Sequence, residues 1–201
     1  YAPTRGRETM RRWCAGKARQ GNRTLGVDPG WIQVTAGATS ALFAAMRGCL
    51  EPGAEVLLTA PWWPVITTVC TAAGVGWREA PLYLEAAADP GADLEALLER
   101  AAGPGVKALY VSTPNNPTGV VLSREQLEQV AAFARRRDLL VLSDEAYEDF
   151  IFTGRKHLSI AALPGMAERT VTAFSFSKTC ALSGYRLGYG VAPPPIAARL
   201  E

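Results

Sequence analysis

Histidine is almost absent from this 201-residue chain, where His157 stands alone. A histidine-built metal centre is thereby excluded, and any chemistry falls to Lys, Asp, Tyr, Asn and Arg. Cysteine is scarce and scattered. Cys14, Cys49, Cys70 and Cys180 show no CxxC spacing, which argues against a zinc site or a disulfide frame and for reduced thiols in a cytoplasmic protein. An excess of one charge is missing too, since 21 basic residues face 19 acidic ones for a net charge of +2. That balance leaves no electrostatic case for nucleic acid or an anionic membrane as partner. No apolar run reaches the length of a membrane span. What is present is 48% hydrophobic and 20% charged, the composition of a soluble globular domain large enough for a real core.

Apolar periodicity and turn residues then divide the chain. Residues 8–19 read as a helix, broken after Gly21. Ile32–Thr35 reads as a strand, followed by the small-residue turn Ala36-Gly37-Ala38-Thr39 and a helix over 40–50. Glu55–Thr59 is the next strand; it runs into Pro61-Trp62-Trp63-Pro64 and a helix reaching Ala73. Further strands are expected at 75–80, Val106–Ser112, 139–143, 170–174 and 185–191, with helices over 93–102 and up to Arg137. Ser123 and Gln126 predict a capping box at the start of the latter. Alternation of this kind means an α/β fold with three α/β/α layers around a mostly parallel central sheet.

The stretch TVTAFSFSKTCALSGYRLGYGV, residues 170–191, draws the rest together. Lys178 directly after a strand, among small residues, is expected to be semi-buried; such an amine loses its proton more readily and attacks carbonyls. Ser175 and Arg186, the second residue of the strand at 185–191, suit a phosphate. The same residues also fit a lysine that snorkels from a loop and an arginine paired with a carboxylate. The turn at Gly37, Ala38 and Thr39 presents backbone N–H groups to an anion, or is an ordinary tight turn. Of the two tryptophans, Trp63 is read as a ring for stacking and Trp62 as core. Ligands of parallel sheets sit beyond the carboxyl ends of the strands. Gly37–Thr39, Trp63, Asn116, Asp144, Tyr147, Ser175 and Lys178 all follow a predicted strand. Together they suit a phosphorylated aromatic aldehyde.

The motifs VTAGATSAL, PWWP, STPNNPTG, SDEAY and SFSKTCALSGYRLGY, in this order, give the chain its resemblance. It resembles the class I/II aminotransferases, fold type I enzymes that use pyridoxal 5′-phosphate. The resemblance implies that Lys178 carries the cofactor as an internal aldimine and then shuttles the proton between Cα and C4′. It implies that Asp144 pairs with the ring nitrogen, that Asn116 and Tyr147 bond the ring O3′, and that Trp63 stacks on the ring. Gly37, Ala38, Thr39, Ser175 and Arg186 would hold the phosphate. Tyr1 would reach the phosphate of a neighbouring subunit in a homodimer. Cis peptide bonds are implied at Asn116–Pro117 and, by extension, at Ala60–Pro61. Cys180 replaces the aromatic or aliphatic residue usual at its position, and His157 is read as structural.

Residues 1–201 are thus expected to form the cofactor-binding large domain of a longer protein. The small domain, with the arginine for the substrate carboxylate, would follow Glu201; this piece alone is not expected to turn over substrate. The implied substrates are an amino acid and a 2-oxo acid. Two other activities use the same scaffold: pyridoxal phosphate-dependent lyases acting on carbon–sulfur bonds (with cyclopropane-forming synthases beside them), and transcription regulators that fuse an aminotransferase-like domain to a DNA-binding one.

Overall fold

The computed structural model describes residues 3–20, 26–152, 154 and 156–201. Its helices are α1 (Glu8–Gln20), α2 (Ala38–Cys49), α3 (Val65–Ala73), α4 (Leu82–Ala88), α5 (Leu94–Ala101), α6 (Arg124–Arg136), α7 (Phe176–Thr179) and α8 (Pro194–Ala197). Its strands are β1 (Ile32–Thr35), β2 (Glu55–Thr59), β3 (Gly76–Ala80), β4 (Val106–Ser112), β5 (Leu140–Asp144), β6 (Thr170–Ser175) and β7 (Gly188–Val191). The strands form a seven-stranded sheet in the order β1-β7-β6-β5-β4-β2-β3.

The pairs β6–β5, β5–β4, β4–β2 and β2–β3 are parallel, while β7 runs antiparallel to both β1 and β6. Two reversals leave β1 pointing the same way as β6. Six strands therefore end at one edge of the sheet, and β7 starts there. This places the residues before β7 beside those that follow the other strands.

Alternation along the strands sends side chains to two separate cores. Leu57, Leu109, Val111 and Val141 pack under α4, α5 and α6 with Leu94, Leu127, Val130 and Phe133. Val56, Leu58, Tyr110, Leu142 and Ala173 pack on the opposite face against Leu42 and Met46 of α2 and Ile66 and Val69 of α3. That is the expected three-layer arrangement. A smaller cluster seats α1 on β1, β6 and β7, where the rings of Phe174 and Tyr189 stack 4.9 Å apart. Trp62 packs against the second core, as expected of it. The capping box of α6 is present, with Ser123 Oγ accepting from the Gln126 N–H and Gln126 Oε1 from the Ser123 N–H.

One expectation needs correction. The strand expected over 185–191 begins only at Gly188, and Arg186 sits before it in a left-handed conformation with φ of 49°. Gly188 pairs with Thr35 and with Ser175, the last residues of β1 and β6, so no ladder partner exists further upstream. Residues Ser183–Tyr185 form a 3-10 turn instead. The segment holding Lys178 is the one-turn helix α7, not the loop of the alternative reading, its start capped by Ser175 Oγ, which accepts from the Ser177 N–H at 3.1 Å. Helix α4 is an addition that the apolar pattern alone did not reveal. Among the described residues no helix is long and apolar enough to cross a membrane.

Candidate active site

The edge where six strands end opens into a cavity of about 190 Å³. Its anion-binding end is built by β1 and α2. The chain leaves β1 at Thr35 and enters α2 at Ala38 through Gly37, which caps the helix with φ of 81° and offers no side chain to its first N–H groups. Those groups have no partner within the helix, and Ala38 and Thr39 face the cavity. Arg186 lies across this turn: a Cβ on Gly37 would meet its Nη2 at 2.7 Å. The guanidinium donates to Ser183 O at 3.2 Å and to Ser177 Oγ at 3.4 Å. It makes no ion pair with a carboxylate among the described residues, so the paired-arginine alternative does not hold. With Ser175 on the same wall, a helix start, an arginine and hydroxyls converge on one volume, which is the chemistry of a phosphate cradle.

The other end is built around Asp144, the last residue of β5, which is buried and lines the cavity. Its Oδ2 accepts from the Tyr110 hydroxyl at 3.0 Å, and its Oδ1 from the Ala146 N–H at 3.2 Å. Burial raises its pKa, partly opposed by those two hydrogen bonds and reinforced by neighbouring Glu145. A carboxylate so placed is suited to pair with a cationic ring nitrogen, which would compensate its burial. Trp63, Asn116 and Tyr147 complete the wall. The bonds Ala60–Pro61 and Asn116–Pro117 are cis as expected, and Thr113–Pro114 is cis as well. Asn115, not Asn116, holds the two loops together, donating to Pro61 O at 3.2 Å. Asn116 is left to face the cavity.

Lys178 Nζ stands 5.4 Å from the centre of the Tyr147 ring. The side chain is exposed rather than semi-buried. In so short a helix only Phe176 turns inward, and Lys178 is left on the open side of the cavity. Helix α7 is tied down through Thr179, which donates to Asp149 Oδ2 at 2.8 Å, while Lys17 reaches the same oxygen at 3.0 Å and also pairs with Glu148. His157 lies apart from the cavity. Its Nε2 bonds Glu145 Oε2 at 2.6 Å, and the other Glu145 oxygen accepts from Ser143 and Ser159, a buried polar knot behind β5. His157 is structural, as read from the sequence.

The cavity thus brings together Ala38, Thr39, Trp63, Asn116, Asp144, Tyr147, Ser175, Lys178 and Arg186, with Gly37 behind them. Tyr1 lies outside the described residues. Ala146, Ser177 and Ser183 also line it, and Tyr110 reaches the Asp144 carboxylate from the core. Ser177 is visible inside its motif. Tyr110 carries no such signal, because in an apolar strand it reads as one more core residue.

A three-layer sheet with an anion cradle, a buried carboxylate and an amine at one edge is the large-domain fold of the type I pyridoxal phosphate enzymes. The chain belongs to the family described as "Aminotransferase class I and II", whose family model matches residues 1–201. It is 37% identical over its whole length to an aromatic-amino-acid aminotransferase of Thermococcus litoralis, of which it spans 51%. A probable N-succinyldiaminopimelate aminotransferase of Mycobacterium tuberculosis is 38% identical over 98% of the chain and 49% of that protein. Among solved structures, an aromatic aminotransferase from Pyrococcus horikoshii superposes with a TM-score of 0.92 at 37% identity, over 100% of this chain and 53% of that one. An aspartate aminotransferase from Thermus thermophilus does so with a TM-score of 0.90 at 34% identity, over 100% and 50%. The chain spans about half the length of these relatives.

The cofactor of this family is pyridoxal 5′-phosphate, and the residues present fit it. An uncapped helix start with Arg186 laid over Gly37 suits a phosphate, and a buried carboxylate with acceptor capacity to spare suits a ring nitrogen. The amine of Lys178 lines the same cavity and suits an aldehyde.

Proposed function

We propose that the intact protein is a pyridoxal phosphate-dependent aminotransferase moving an amino group between an amino acid and a 2-oxo acid. Residues 1–201 would be its cofactor-binding large domain. The observation that carries this reading is the single cavity in which the phosphate cradle, Asp144 and Lys178 meet. When bound, the cofactor supplies an electron-poor ring able to take up negative charge from the substrate Cα. The Ala38 and Thr39 N–H groups, Ser175 and Arg186 would hold its phosphate. Asp144 would keep the ring nitrogen protonated, Asn116 and Tyr147 would bond the ring hydroxyl oxygen, and Trp63 would cover the ring face. Lys178 Nζ would anchor the cofactor and then take the Cα proton and return it at the cofactor's carbon.

A homodimer and a cytoplasmic setting belong to the same proposal. The first is supported by the family match of Tyr1 and by the exposed apolar side chains Phe43 (39%) and Val65 (41%) on adjoining helices α2 and α3. The second is supported by four cysteines that are all free.

The test is made on the intact protein with a panel of amino acids and 2-oxo acids. Amino transfer is expected, with borohydride fixing the cofactor on Lys178. Lys178→Ala should abolish the label and lower the rate by about 10²–10⁴-fold for the lost proton transfer alone. Label on Lys107 or Lys156, or release of ammonia and elimination products in place of amino transfer, would overturn the reading.

A further inference from the structure

Tyr110 occupies a core position of β4 and is wholly buried. It packs on the sheet face covered by α2 and α3, among Leu58, Ala108 and Leu142. An aliphatic side chain would fill such a place without a polar group to satisfy, whereas a buried phenol has to find a partner. The partner is Asp144. The register of β4 on β5 sets Tyr110 opposite Leu142 and Ser112 opposite Asp144. The phenol therefore shares a face with the carboxylate and reaches two residue pairs further along the ladder to donate to Oδ2 at 3.0 Å. The Ala146 N–H takes Oδ1 at 3.2 Å. Two carboxylate oxygens offer about four acceptor sites, so these donors fix the plane of the group and leave capacity on the cavity side.

We infer that Tyr110 is a positioning residue that holds the Asp144 carboxylate, as an acceptor, towards the ring nitrogen of the cofactor. This rests on the reading of the cavity given above. The energetic logic is direct: burial disfavours the ionised form of Asp144, and the hydrogen bond from the phenol is one of the interactions that favour that form there. Without the hydroxyl, Oδ2 loses its donor, the carboxylate binds a proton more readily, and it competes less well for the charged form of the ring.

Tyr110→Phe removes that hydroxyl and keeps the aromatic ring. In the intact enzyme kcat should fall roughly tenfold or more with KM little changed, the scale of one lost hydrogen bond to a charged group. The pH midpoint of the bound cofactor's absorption should move. In cofactor-free protein the Asp144 carboxyl, followed by carbon-13 NMR, should titrate at higher pH than in the wild type. Tyr83→Phe is the control. Its equally buried phenol bonds Thr59 and the Ser112 backbone rather than Asp144, so it should lower stability and leave both midpoints in place. Should Tyr110→Phe fail to fold, the wild type answers instead: the Tyr110 Cζ resonance must follow the Asp144 titration. An unchanged Asp144 midpoint in Tyr110→Phe, or a Tyr110 resonance blind to Asp144, overturns the inference whether or not cofactor binds. A wild type that takes up no pyridoxal phosphate overturns the functional reading instead and leaves the carboxyl titration to decide this one.

Discussion

Gly188→Ala tests how the phosphate cradle is built. Gly188 is the first residue of β7, paired with Thr35 on one side and Ser175 on the other. It is absent from the positive-φ glycines, so alanine meets no conformational objection and the whole effect is steric. A Cβ there would lie 2.6 Å from Gly37 C, 2.6 Å from Phe174 O and 2.7 Å from Ala38 N. All three are backbone atoms, and none can swing aside as a side chain would. The methyl must push the start of α2 away from β6 or break the pairing of β7. Overpacking a core costs about 1–3 kcal/mol. For a domain of this size each kcal/mol lowers the melting midpoint by about 2–4 °C. Because the displaced atoms belong to the anion cradle, affinity for pyridoxal phosphate should fall together with stability. Calorimetry and cofactor titration of the intact protein measure both, with Gly184→Ala as the control, since a Cβ at Gly184 meets nothing within 4 Å. A Gly188→Ala protein with an unchanged melting midpoint and unchanged cofactor affinity would refute the argument.

Two further outcomes follow from buried titratable groups. Burial by itself would lower the pKa of His157, but Glu145, with Glu148 and Asp149 behind it, raises it above the ordinary value. A raised folded-state pKa means that the pair's contribution is complete below about pH 6.5 and is lost as pH rises through the folded-state value. Denaturation series across that window should show this slope, and His157→Ala should flatten it while costing about 3–5 kcal/mol at low pH; a variant that keeps the wild-type slope would exclude His157 as its source. The cysteines should separate by environment: burial pushes the Cys14 thiol up to about 12 and the Cys70 thiol up to about 11, whereas Cys180 is exposed. Mild alkylation of the native protein followed by peptide mapping should label Cys180 first, and early label on Cys14 would contradict the packing of α1 on the sheet.

By itself, the sequence determined the layers, most of the elements and most of the residues that line the cavity. Apolar alternation is a local property, so β2 and β4 could be read to the residue, as could the capping box of α6. These residues, Arg186 apart, were legible because each follows a strand end, and chain direction in a parallel sheet carries all such ends to one edge. Tertiary structure decided what depends on neighbours. Strand β7 begins only at Gly188 because β1 and β6 end opposite it, and this turns Arg186 from a strand residue into a left-handed residue laid over Gly37. Lys178 is exposed because α7 is a single turn that buries only Phe176. The pairing of Tyr110 with Asp144 needs the register of β4 on β5. Register is a relation between two strands 34 residues apart, held by long-range packing that no local pattern in either strand encodes.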